Sequence, residues 1–493
     1  MKKSIIIGGK AGQGSNILMH LVAEALVEQG VYVFYSRDYQ SLIRGGHNFD
    51  QMCFSDKPVF SNESKIDLLV ALDENTEKLH YSKLKKGGLL MKGSEANMFF
   101  AGRIFKVLGL NFKLLDKQLK GLGKRYLENL IEAKKGYEFE TNEIKIENSK
   151  GKNKFYSGSE AIALGAIKSG LDIYYAYPMT PATPVLTELA QRQEKDNFLV
   201  LELENEIAVA NAGCGSAMTG AKTMVGTAGG GFDLMAETLS MTGIAGIPLV
   251  FYLAQRPGPG TGVATYSSQG DMNIALHSGH GEFNRIVLAP GDPIEAQELT
   301  NQCFYFSQKF SIPSILLSDK HLGESLYSLE EKEKIIAVKK NSSMKRYNSY
   351  EIDSEGSATE DSKIVIANVN KRLAQIKEIS KEAKKFSQYK IYGKKSSKNI
   401  LLFWGSTKGA ILDAIEGLDI CAIQILYLEP FPLEIEKLIK GKNLMLVEAN
   451  SRGLLGNLIK EKTGIEIKKK ILKYDGREFF CDELREEIRR KMG

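Results

Sequence analysis

Short apolar runs that end in glycine turns and lead into helical segments recur along this chain, and this alternation most restricts its fold. The first apolar run is Ser4–Gly8. Apolar residues at helical spacing follow over Asn16–Glu28, and a second apolar run spans Val31–Tyr35. Strand–helix–strand units with such short turns pack as open sheets covered by helices. The sequence therefore predicts an α/β fold.

The same alternation restarts twice, which predicts a multidomain protein. At roughly 150 residues per domain, 493 residues correspond to about three domains. We expect α/β domains over residues 1–150, 151–330 and 398–493. Residues 331–397 are rich in Lys, Glu and Ser and have few long apolar runs, so they are predicted to be a charged linker with some helix.

The composition excludes several classes of protein. A net charge of +6 with 43% hydrophobic residues is typical of a globular chain, and the scattered lysines do not resemble a nucleic-acid surface. The most apolar window, residues 244–254, is too short to cross a membrane. Five dispersed cysteines without a CxxC pair predict no metal or iron–sulfur site in this chain, and reduced thiols in the cytoplasm.

The first glycine cluster, Gly8–Gly14, stands at a predicted strand-to-helix turn. Glycines at such a turn let backbone N–H groups approach a phosphate, so Gly12, Gly14 and the nearby cation Arg44 form a possible anion-binding loop. The spacing matches neither the dinucleotide fingerprint nor the P-loop. A tight turn that only packs the sheet explains the same glycines.

Two loops at strand ends of the second domain carry candidate ligand-binding side chains. The segment Tyr177–Pro181 holds Thr180 between two prolines, so the hydroxyl can bind a ligand at little entropic cost. Arg256 follows the predicted strand Pro248–Leu253, at the edge where open α/β sheets bind ligands. A guanidinium there can grip a carboxylate with two parallel hydrogen bonds. Each loop taken alone also fits an ordinary surface turn.

An acidic run and a triple glycine follow two other predicted strands. Glu202, Glu204 and Glu206 share one face if their strand continues, but they separate if a helix begins at Asn205. A surface acidic run is one interpretation. The other is a buried carboxyl, which keeps its proton more easily and suits a hydrogen bond to a ring nitrogen of a cofactor. The triple glycine Gly229–Gly231 permits close approach of a ligand or another chain.

Taken in order over most of the first 320 residues, these motifs resemble the α subunits of the 2-oxoacid:ferredoxin oxidoreductases in which a γ domain is fused ahead of the α region. The γ resemblance rests on the glycine loop Gly9–Gly14 and on Arg44–Gly46. The α resemblance rests on Tyr177–Pro181, Glu204–Glu206, Gly229–Phe232, Gln255–Pro259, Thr261–Gly262, Gln269–Asp271 and His280–Glu282.

The resemblance implies a role for each domain and for the candidate residues. Residues 1–150 would be a γ-type domain, 151–330 a thiamine diphosphate pyrimidine-binding domain, and 398–493 a transketolase C-terminal-like domain. Glu206 would be the catalytic carboxyl that hydrogen-bonds the aminopyrimidine and promotes its imino tautomer. Thr180 and Arg256 would bind the substrate carboxylate or carbonyl. The other implied contacts are Tyr177, Pro178 and Gly230 for thiamine diphosphate, and Gly12, Gly14 and Arg44 for coenzyme A or another anion.

The family's reaction is the oxidative decarboxylation of a 2-oxoacid to acyl-coenzyme A and carbon dioxide, with reduction of ferredoxin. A pyrophosphate-binding domain carries a Gly-Asp-Gly motif for Mg²⁺, which neither Gly270–Met272 nor Gly291–Pro293 matches, and this chain has no cysteine cluster. The resemblance therefore implies a separate β subunit that brings the pyrophosphate-binding domain, Mg²⁺ and a 4Fe-4S cluster. We expect this chain to be inactive alone and to work in a dimer of αβ units.

Some residues depart from the family pattern, and alternatives stay open. Met179 replaces the usual isoleucine, Gly260 replaces the usual serine, and residues 228–230 read Ala-Gly-Gly instead of Ser-Gly-Pro. The fused γ domain favours 2-oxoglutarate as substrate, ahead of pyruvate and branched-chain 2-oxoacids. The missing Gly-Asp-Gly motif disfavours a self-sufficient thiamine enzyme. The remaining alternative is a non-catalytic nucleotide-binding α/β scaffold that uses only the first glycine loop.

Overall fold

The computed structural model describes residues 2–40, 46–123, 125–144, 146, 151–330, 332–341 and 348–492. The predicted first strand and helix are confirmed as β1 and α1. The elements of the first part of the chain are β1 (Lys3–Lys10), α1 (Ser15–Glu28), β2 (Tyr32–Tyr39), β3 (His47–Ser55), β4 (Ile66–Ala71), α2 (Glu74–His80), β5 (Leu84–Lys92), α3 (Asn97–Val107), α4 (Phe112–Gly121) and α5 (Tyr126–Phe139).

The second part of the chain alternates strands and helices throughout. Its elements are β6 (Lys154–Ser157), α6 (Gly158–Lys168), β7 (Ile173–Ala176), α7 (Thr183–Asp196), β8 (Leu199–Glu202), α8 (Glu206–Met218), β9 (Thr223–Ala228), α9 (Gly229–Leu234), α10 (Ala236–Ala245), β10 (Leu249–Gln255), α11 (Met272–His277), β11 (Ile286–Leu288), α12 (Pro293–Phe310), β12 (Ser314–Asp319), α13 (Lys320–Glu324) and β13 (Leu326–Leu329).

The last part of the chain begins with a long helix. Its elements are α14 (Ser362–Ala383), β14 (Tyr389–Gly393), β15 (Asn399–Trp404), α15 (Lys408–Ile415), β16 (Cys421–Ile425), β17 (Tyr427–Glu429), α16 (Ile435–Ile439), β18 (Asn443–Glu448), α17 (Leu454–Thr463), β19 (Lys469–Leu472) and α18 (Cys481–Met492). Among the described residues, no helix combines the length and the apolar character needed to cross a bilayer.

The predicted α/β, multidomain architecture is confirmed by the sheets that these strands form. In the second sheet the order is β17-β11-β12-β10-β9-β7-β8, and every pair from β11 to β8 is parallel. Neighbouring parallel strands end at the same edge of a sheet. The loops that follow β7, β8, β9 and β10 therefore gather at one place, the carboxyl edge of this sheet.

The first sheet is mixed, and sequence reasoning missed one of its central strands. Its order is β5-β4-β1-β3-β2-β13-β6, with β1 parallel to β4 but antiparallel to β3. The strand β3 opens with the polar residues His47, Asn48, Asp50 and Gln51, although it is fully buried from Asp50 onward. Because its first half is polar, the sequence offered no continuous apolar run there.

Strands cross the domain limits expected from the sequence. Both β6 and β13 come from residues 151–330 but complete the first sheet, and β17 from the last part pairs with β11 in the second sheet. The third sheet has the order β14-β16-β15-β18-β19, so its edge strand β14 lies within the stretch predicted as linker. The three parts of the chain are thereby held together by backbone pairing.

The last part of the chain also shares a hydrophobic core with the second sheet. Phe232, Leu253 and Trp404 are fully buried in one cluster. Beside that cluster, buried Gln269 donates from Nε2 to the Trp404 carbonyl at 2.8 Å and accepts from the Ala449 N–H at 2.8 Å. This glutamine ties the loop after β10 to the third sheet, which gives the carboxyl edge of the second sheet a fixed support.

Candidate functional site

Three of the residues singled out from the sequence meet at the carboxyl edge of the second sheet. Thr180 lies after β7, Glu206 opens the helix after β8, and Arg256 follows β10. The triple glycine after β9 leads directly into a helix. It is the first turn of α9, so its backbone is helical from Gly229 onward. The site is therefore made of one helix start, one helix turn and two loops.

Arg256 is held in place by the loop that carries Thr180. Its Nη1 donates to the Thr180 carbonyl oxygen at 2.7 Å, so the backbone of that loop, and not its hydroxyl, fixes the guanidinium. Burial lowers the pKa of Arg256, and the neighbouring carboxyls of Asp271 and Glu206 oppose that shift. The Thr180 hydroxyl stays available to another group at the same position.

Glu206 is a buried carboxyl at the start of α8. Asn205 caps this helix by accepting from the Ala208 N–H at 2.9 Å, which separates Glu206 from the exposed Glu204. Glu206 is 3% exposed, and its Oε1 has no hydrogen-bond partner among the described residues. Buried polar atoms are nearly always paired, so this unpaired carboxyl oxygen is a candidate for contact with a ligand.

Gly231 allows this carboxyl to lie against α9. A Cβ added at Gly231 would stand 2.5 Å from Glu206 Oε1 and 2.1 Å from Thr227 Oγ1, distances that no side chain tolerates. The acidic side chain and the helix turn are therefore packed together at the position where the sequence has its triple glycine.

The other predicted cofactor residues lie on the rim of the site. Tyr177 and Pro178 are exposed directly after β7. Gly230 is exposed as well, and a Cβ built on it would lie 3.9 Å from the Gly260 carbonyl, so the turn after β9 approaches the loop after β10. Their contact with a cofactor stays a prediction.

The glycine loop of the first sheet lies apart from that edge. Gly12 and Gly14 both have positive φ, 87° and 78°. The inside of the loop is filled by its own Gln13, whose Oε1 accepts from the Lys10 N–H at 2.6 Å, while Asn97 Nδ2 donates to the Gln13 carbonyl. Part of the loop's backbone is therefore paired by its own Gln13 and by Asn97. Arg44 falls outside the residues that the structure describes.

Sequence reasoning assigned no role to Asp271, although the motif Gln269–Asp271 was noticed. Its carboxyl lies beside the first turn of α9, where a Cβ added at Gly229 would stand 2.9 Å from Oδ2. Burial raises the pKa of Asp271 to about 6, helped by Asp233 and opposed by Arg256. Only its place in the motif Gln269–Asp271 drew attention to Asp271, because the spacing of that motif did not indicate a chemical role.

Sequence reasoning missed a second group of candidate functional residues, because these residues come from all three parts of the chain and line one cavity. A cavity of about 360 Å³ opens between the first sheet, the second sheet and the loop before α18. His47 and His80 form part of its wall, with 2.7 Å between their Nε2 atoms, and burial lowers the pKa of both. The permanent cations that line the cavity are Arg37, Lys83, Lys320 and Arg477.

Apolar side chains stand exposed around the carboxyl edge of the second sheet. Ile207 is 51% exposed beside Glu206, Leu234 ends α9 at 49%, and Val263 in the loop after β10 is 49% exposed. Leu199 and Leu201 on the edge strand β8 are also exposed. Exposed apolar side chains grouped around a site are typical of a protein–protein contact surface.

Two family models match this chain. The model described as "Pyruvate flavodoxin/ferredoxin oxidoreductase, thiamine diP-bdg" matches residues 164–389, and the model described as "Pyruvate ferredoxin/flavodoxin oxidoreductase" matches residues 4–131. The first includes the carboxyl edge with Thr180, Glu206 and Arg256, and the second covers most of the first sheet.

Similar proteins and structures agree with these matches. A 2-oxoacid:ferredoxin oxidoreductase subunit alpha of Sulfolobus sp is 27% identical over 99% of this chain and 96% of its own. The 2-oxoglutarate synthase subunit KorA of Archaeoglobus fulgidus is 37% identical over 34% of this chain and 48% of its own. The solved 2-oxoglutarate:ferredoxin oxidoreductase of Magnetococcus marinus, with 2-oxoglutarate, coenzyme A and succinyl-CoA bound, superimposes over 100% of both chains with a TM-score of 0.90 at 21% identity, which shows a shared fold.

Proposed function

Because the chain belongs to the 2-oxoacid:ferredoxin oxidoreductase family, as an α subunit with a γ domain fused ahead of it, we propose that its carboxyl-edge site binds thiamine diphosphate and a 2-oxoacid. The reaction is the oxidative decarboxylation of the 2-oxoacid to acyl-coenzyme A, with ferredoxin as electron acceptor. The non-catalytic scaffold is disfavoured, since its argument used only a glycine loop that fills itself with Gln13.

The observation that carries this proposal is the buried, unpaired Oε1 of Glu206. A hydrogen bond to the aminopyrimidine ring nitrogen of thiamine diphosphate supplies the partner that this atom lacks, and Gly231 leaves room for the carboxyl to face it. The residues present therefore fit the pyrimidine half of the cofactor. Tyr177, Pro178 and Gly230 would line its approach from the rim.

Three residues of this chain would act on the cofactor and on the substrate. Thiamine diphosphate, when bound, supplies the electron sink through which a 2-oxoacid loses carbon dioxide. Glu206 would share a proton with the pyrimidine ring nitrogen in a place that excludes water. Arg256, held by the Thr180 carbonyl, would bind the substrate carboxylate, and the Thr180 hydroxyl would donate to the same carboxylate or to the 2-oxo oxygen.

Replacing Arg256 by alanine is expected to raise the KM for the 2-oxoacid by about 10- to 100-fold, since a charge-assisted hydrogen bond contributes about 1.5–3 kcal/mol. The kcat should change much less. Steady-state kinetics on the reconstituted complex measures both. Arg192→Ala is the matched control, because Arg192 on α7 pairs with Glu160 on α6, at 2.9 Å, and should leave the KM unchanged. An unchanged KM for Arg256→Ala would remove this residue from the carboxylate site.

We propose that a separate β subunit completes the site. The chain has no Gly-Asp-Gly motif for the pyrophosphate and Mg²⁺, and no clustered cysteines for a 4Fe-4S cluster, so both would come from the β subunit. The exposed Ile207, Leu234 and Val263 around the carboxyl edge support a contact surface there. Ferredoxin would receive electrons from the β subunit, in a dimer of αβ units.

The cavity between the three parts of the chain is our candidate for the anionic half of coenzyme A. Its lining holds several cations, with Asp38 and Glu478 as acids, so a phosphate-bearing ligand would find excess positive charge. Arg477 additionally stacks 3.6 Å from the centroid of the Tyr266 ring, which presents a flat surface. The first glycine loop is the competing location.

Lys83→Ala is expected to raise the KM for coenzyme A by about tenfold while the KM for the 2-oxoacid stays within about twofold, because one charged contact to phosphate is lost. Kinetics at saturating 2-oxoacid measures the effect. Lys86→Ala is the control, since Lys86 is exposed on β5, three residues after Lys83, and lies outside the cavity. If Lys83→Ala leaves coenzyme A binding intact while Gly14→Val weakens it, the glycine loop is the site instead.

The test of the whole proposal is co-expression with the candidate β chain, followed by a screen of 2-oxoacids with coenzyme A and a viologen dye. We expect dye reduction with 2-oxoglutarate in first place, then pyruvate or branched-chain 2-oxoacids. Absence of turnover with every 2-oxoacid would contradict the function. Turnover by the chain without its partner would contradict the shared site.

A further inference from the structure

The Asp271 side chain does not cap the helix that follows it, unlike other Asp and Asn residues that precede helices in this chain. Asp271 stands directly before α11, yet its side chain makes no capping hydrogen bond to that helix among the described residues. Other helices have a capping acid or amide at the same position. The acids and amides that accept a backbone N–H in this way among the described residues are Asp73, Asn111, Asn205, Asp292, Asp319 and Asp361. The Asp271 carboxyl is therefore turned away from its own helix.

The backbone of Asp271 is anchored so that this carboxyl faces the site. Its N–H donates to Gln255 Oε1 at 3.0 Å, and Gln255 Nε2 in turn donates to the Ser318 carbonyl at 3.1 Å. The buried Oδ2 has no hydrogen-bond partner among the described residues, and it lies against Gly229. A buried carboxyl oxygen without a partner is costly, so its position needs a reason other than folding.

The charges that face Asp271 come from two neighbouring elements. Arg256 from the loop after β10 favours the ionised carboxylate, whereas Asp233 on α9 disfavours it. Glu206 at the start of α8 faces the same Arg256. Because burial raises the pKa of Asp271 to about 6, this carboxyl changes its charge close to neutral pH, beside the guanidinium that would hold the substrate.

We propose that Asp271 is a positioning residue that sets the net charge around Arg256, so that binding of the substrate carboxylate is coupled to uptake of one proton by Asp271. This inference rests on the proposed function. Ionised Asp271 offsets the charge of Arg256 and repels an incoming carboxylate, while protonated Asp271 does neither. By reciprocity, a bound carboxylate makes Asp271 hold its proton more tightly. The proton comes from solvent and resides on the Asp271 carboxyl.

The first experiment compares wild type with Asp271→Asn in the reconstituted complex, over pH 5.5 to 8.5, at saturating coenzyme A. The wild-type KM for the 2-oxoacid should rise as the pH increases above about 6, whereas the Asp271→Asn value should not follow this rise. At pH 8 the wild-type KM should exceed that of the variant by about fivefold or more, with kcat within about twofold. A purely structural role would not change the slope with pH.

Asp233→Asn is the matched control, because it removes a neighbouring negative charge and keeps the titrating group. It should retain the rise of KM with pH, displaced to lower pH, since the pKa of Asp271 then falls. Parallel KM profiles for wild type and Asp271→Asn would overturn the inference while leaving the proposed function intact.

A second measurement does not require turnover. Titration calorimetry of 2-hydroxyglutarate, which lacks the reacting carbonyl, into the complex at pH 7 in two buffers of different ionisation enthalpy counts the protons taken up. Wild type should take up a substantial fraction of one proton, and Asp271→Asn close to none. Equal uptake by both would overturn the coupling. A wild-type complex that turns over no 2-oxoacid would instead contradict the proposed function.

Discussion

Glu206→Gln is expected to lower 2-oxoacid-dependent dye reduction in the reconstituted complex by about 100-fold or more. A positioned proton-transfer group typically contributes 10²- to 10⁴-fold, and glutamine keeps the shape of the side chain while removing the exchangeable carboxyl proton. The loss should fall on kcat, because Glu206 is assigned to the cofactor and not to the 2-oxoacid. Steady-state rates at saturating substrate and thiamine diphosphate measure it.

Glu204→Gln is the control for this variant, since it alters an exposed carboxyl two residues earlier and should leave the rate within about twofold. Stability should also be retained in Glu206→Gln, because the unpaired Oε1 has no hydrogen bond to lose. Wild-type turnover by Glu206→Gln would contradict the role assigned to this residue.

Lys408→Met is expected to destabilise the chain by about 3–5 kcal/mol, because the Asp292 carboxylate loses its cation and the buried Glu295 keeps only Lys390, at 3.0 Å. Lys408 is 7% exposed and pairs with Asp292 and, at 2.6 Å, with Glu295, which is 1% exposed. These contacts join the start of α12 to α15 across the boundary between the second and third sheets. The free energy of the first unfolding transition in urea measures the loss.

A surface ion pair provides the comparison for Lys408. Lys384 lies 2.6 Å from Glu434 but both are exposed, so Lys384→Met should change the unfolding free energy by no more than about 1 kcal/mol. Burial alone would raise the pKa of Glu295, but Lys408 and Lys390 hold it well below its usual range. The network should therefore stabilise the chain above the unfolded pKa of Glu295 and weaken as the pH falls toward the folded value. Equal effects of the two lysine variants would contradict this view.

Much of the second sheet could be predicted from the sequence, since its strands are apolar runs followed by glycine or proline turns. The strand β10, predicted over Pro248–Leu253, is an example. Parallel strands end at one edge, so the prediction that Thr180 and Arg256 lie close together needed only the strand assignments. Their contact at 2.7 Å was not predictable, because it joins a side chain to a backbone carbonyl 76 residues away.

The burial of Glu206 could not be predicted from the sequence alone. Two arrangements of the acidic run were possible, and the cap formed by Asn205 decides that the helix begins there and that Glu206 alone is buried. Capping by asparagine was visible in the sequence, but the burial depends on α9 packing against α8 through Gly231. The roles of Tyr177, Pro178 and Gly230 remain predictions.

The sequence by itself determined the α/β class and most of the strands of the second sheet, because each follows from residues close together in the chain. The order of the motifs along the chain gave the resemblance to the family. Only the tertiary structure decided that β6, β13 and β17 pair outside their own segments, that four cations from distant segments line one cavity, and that Asp271 lies close enough to Arg256 for their charges to interact. The physical reason is that periodicity and turns are local properties, whereas burial and charge pairing depend on which surfaces meet after folding.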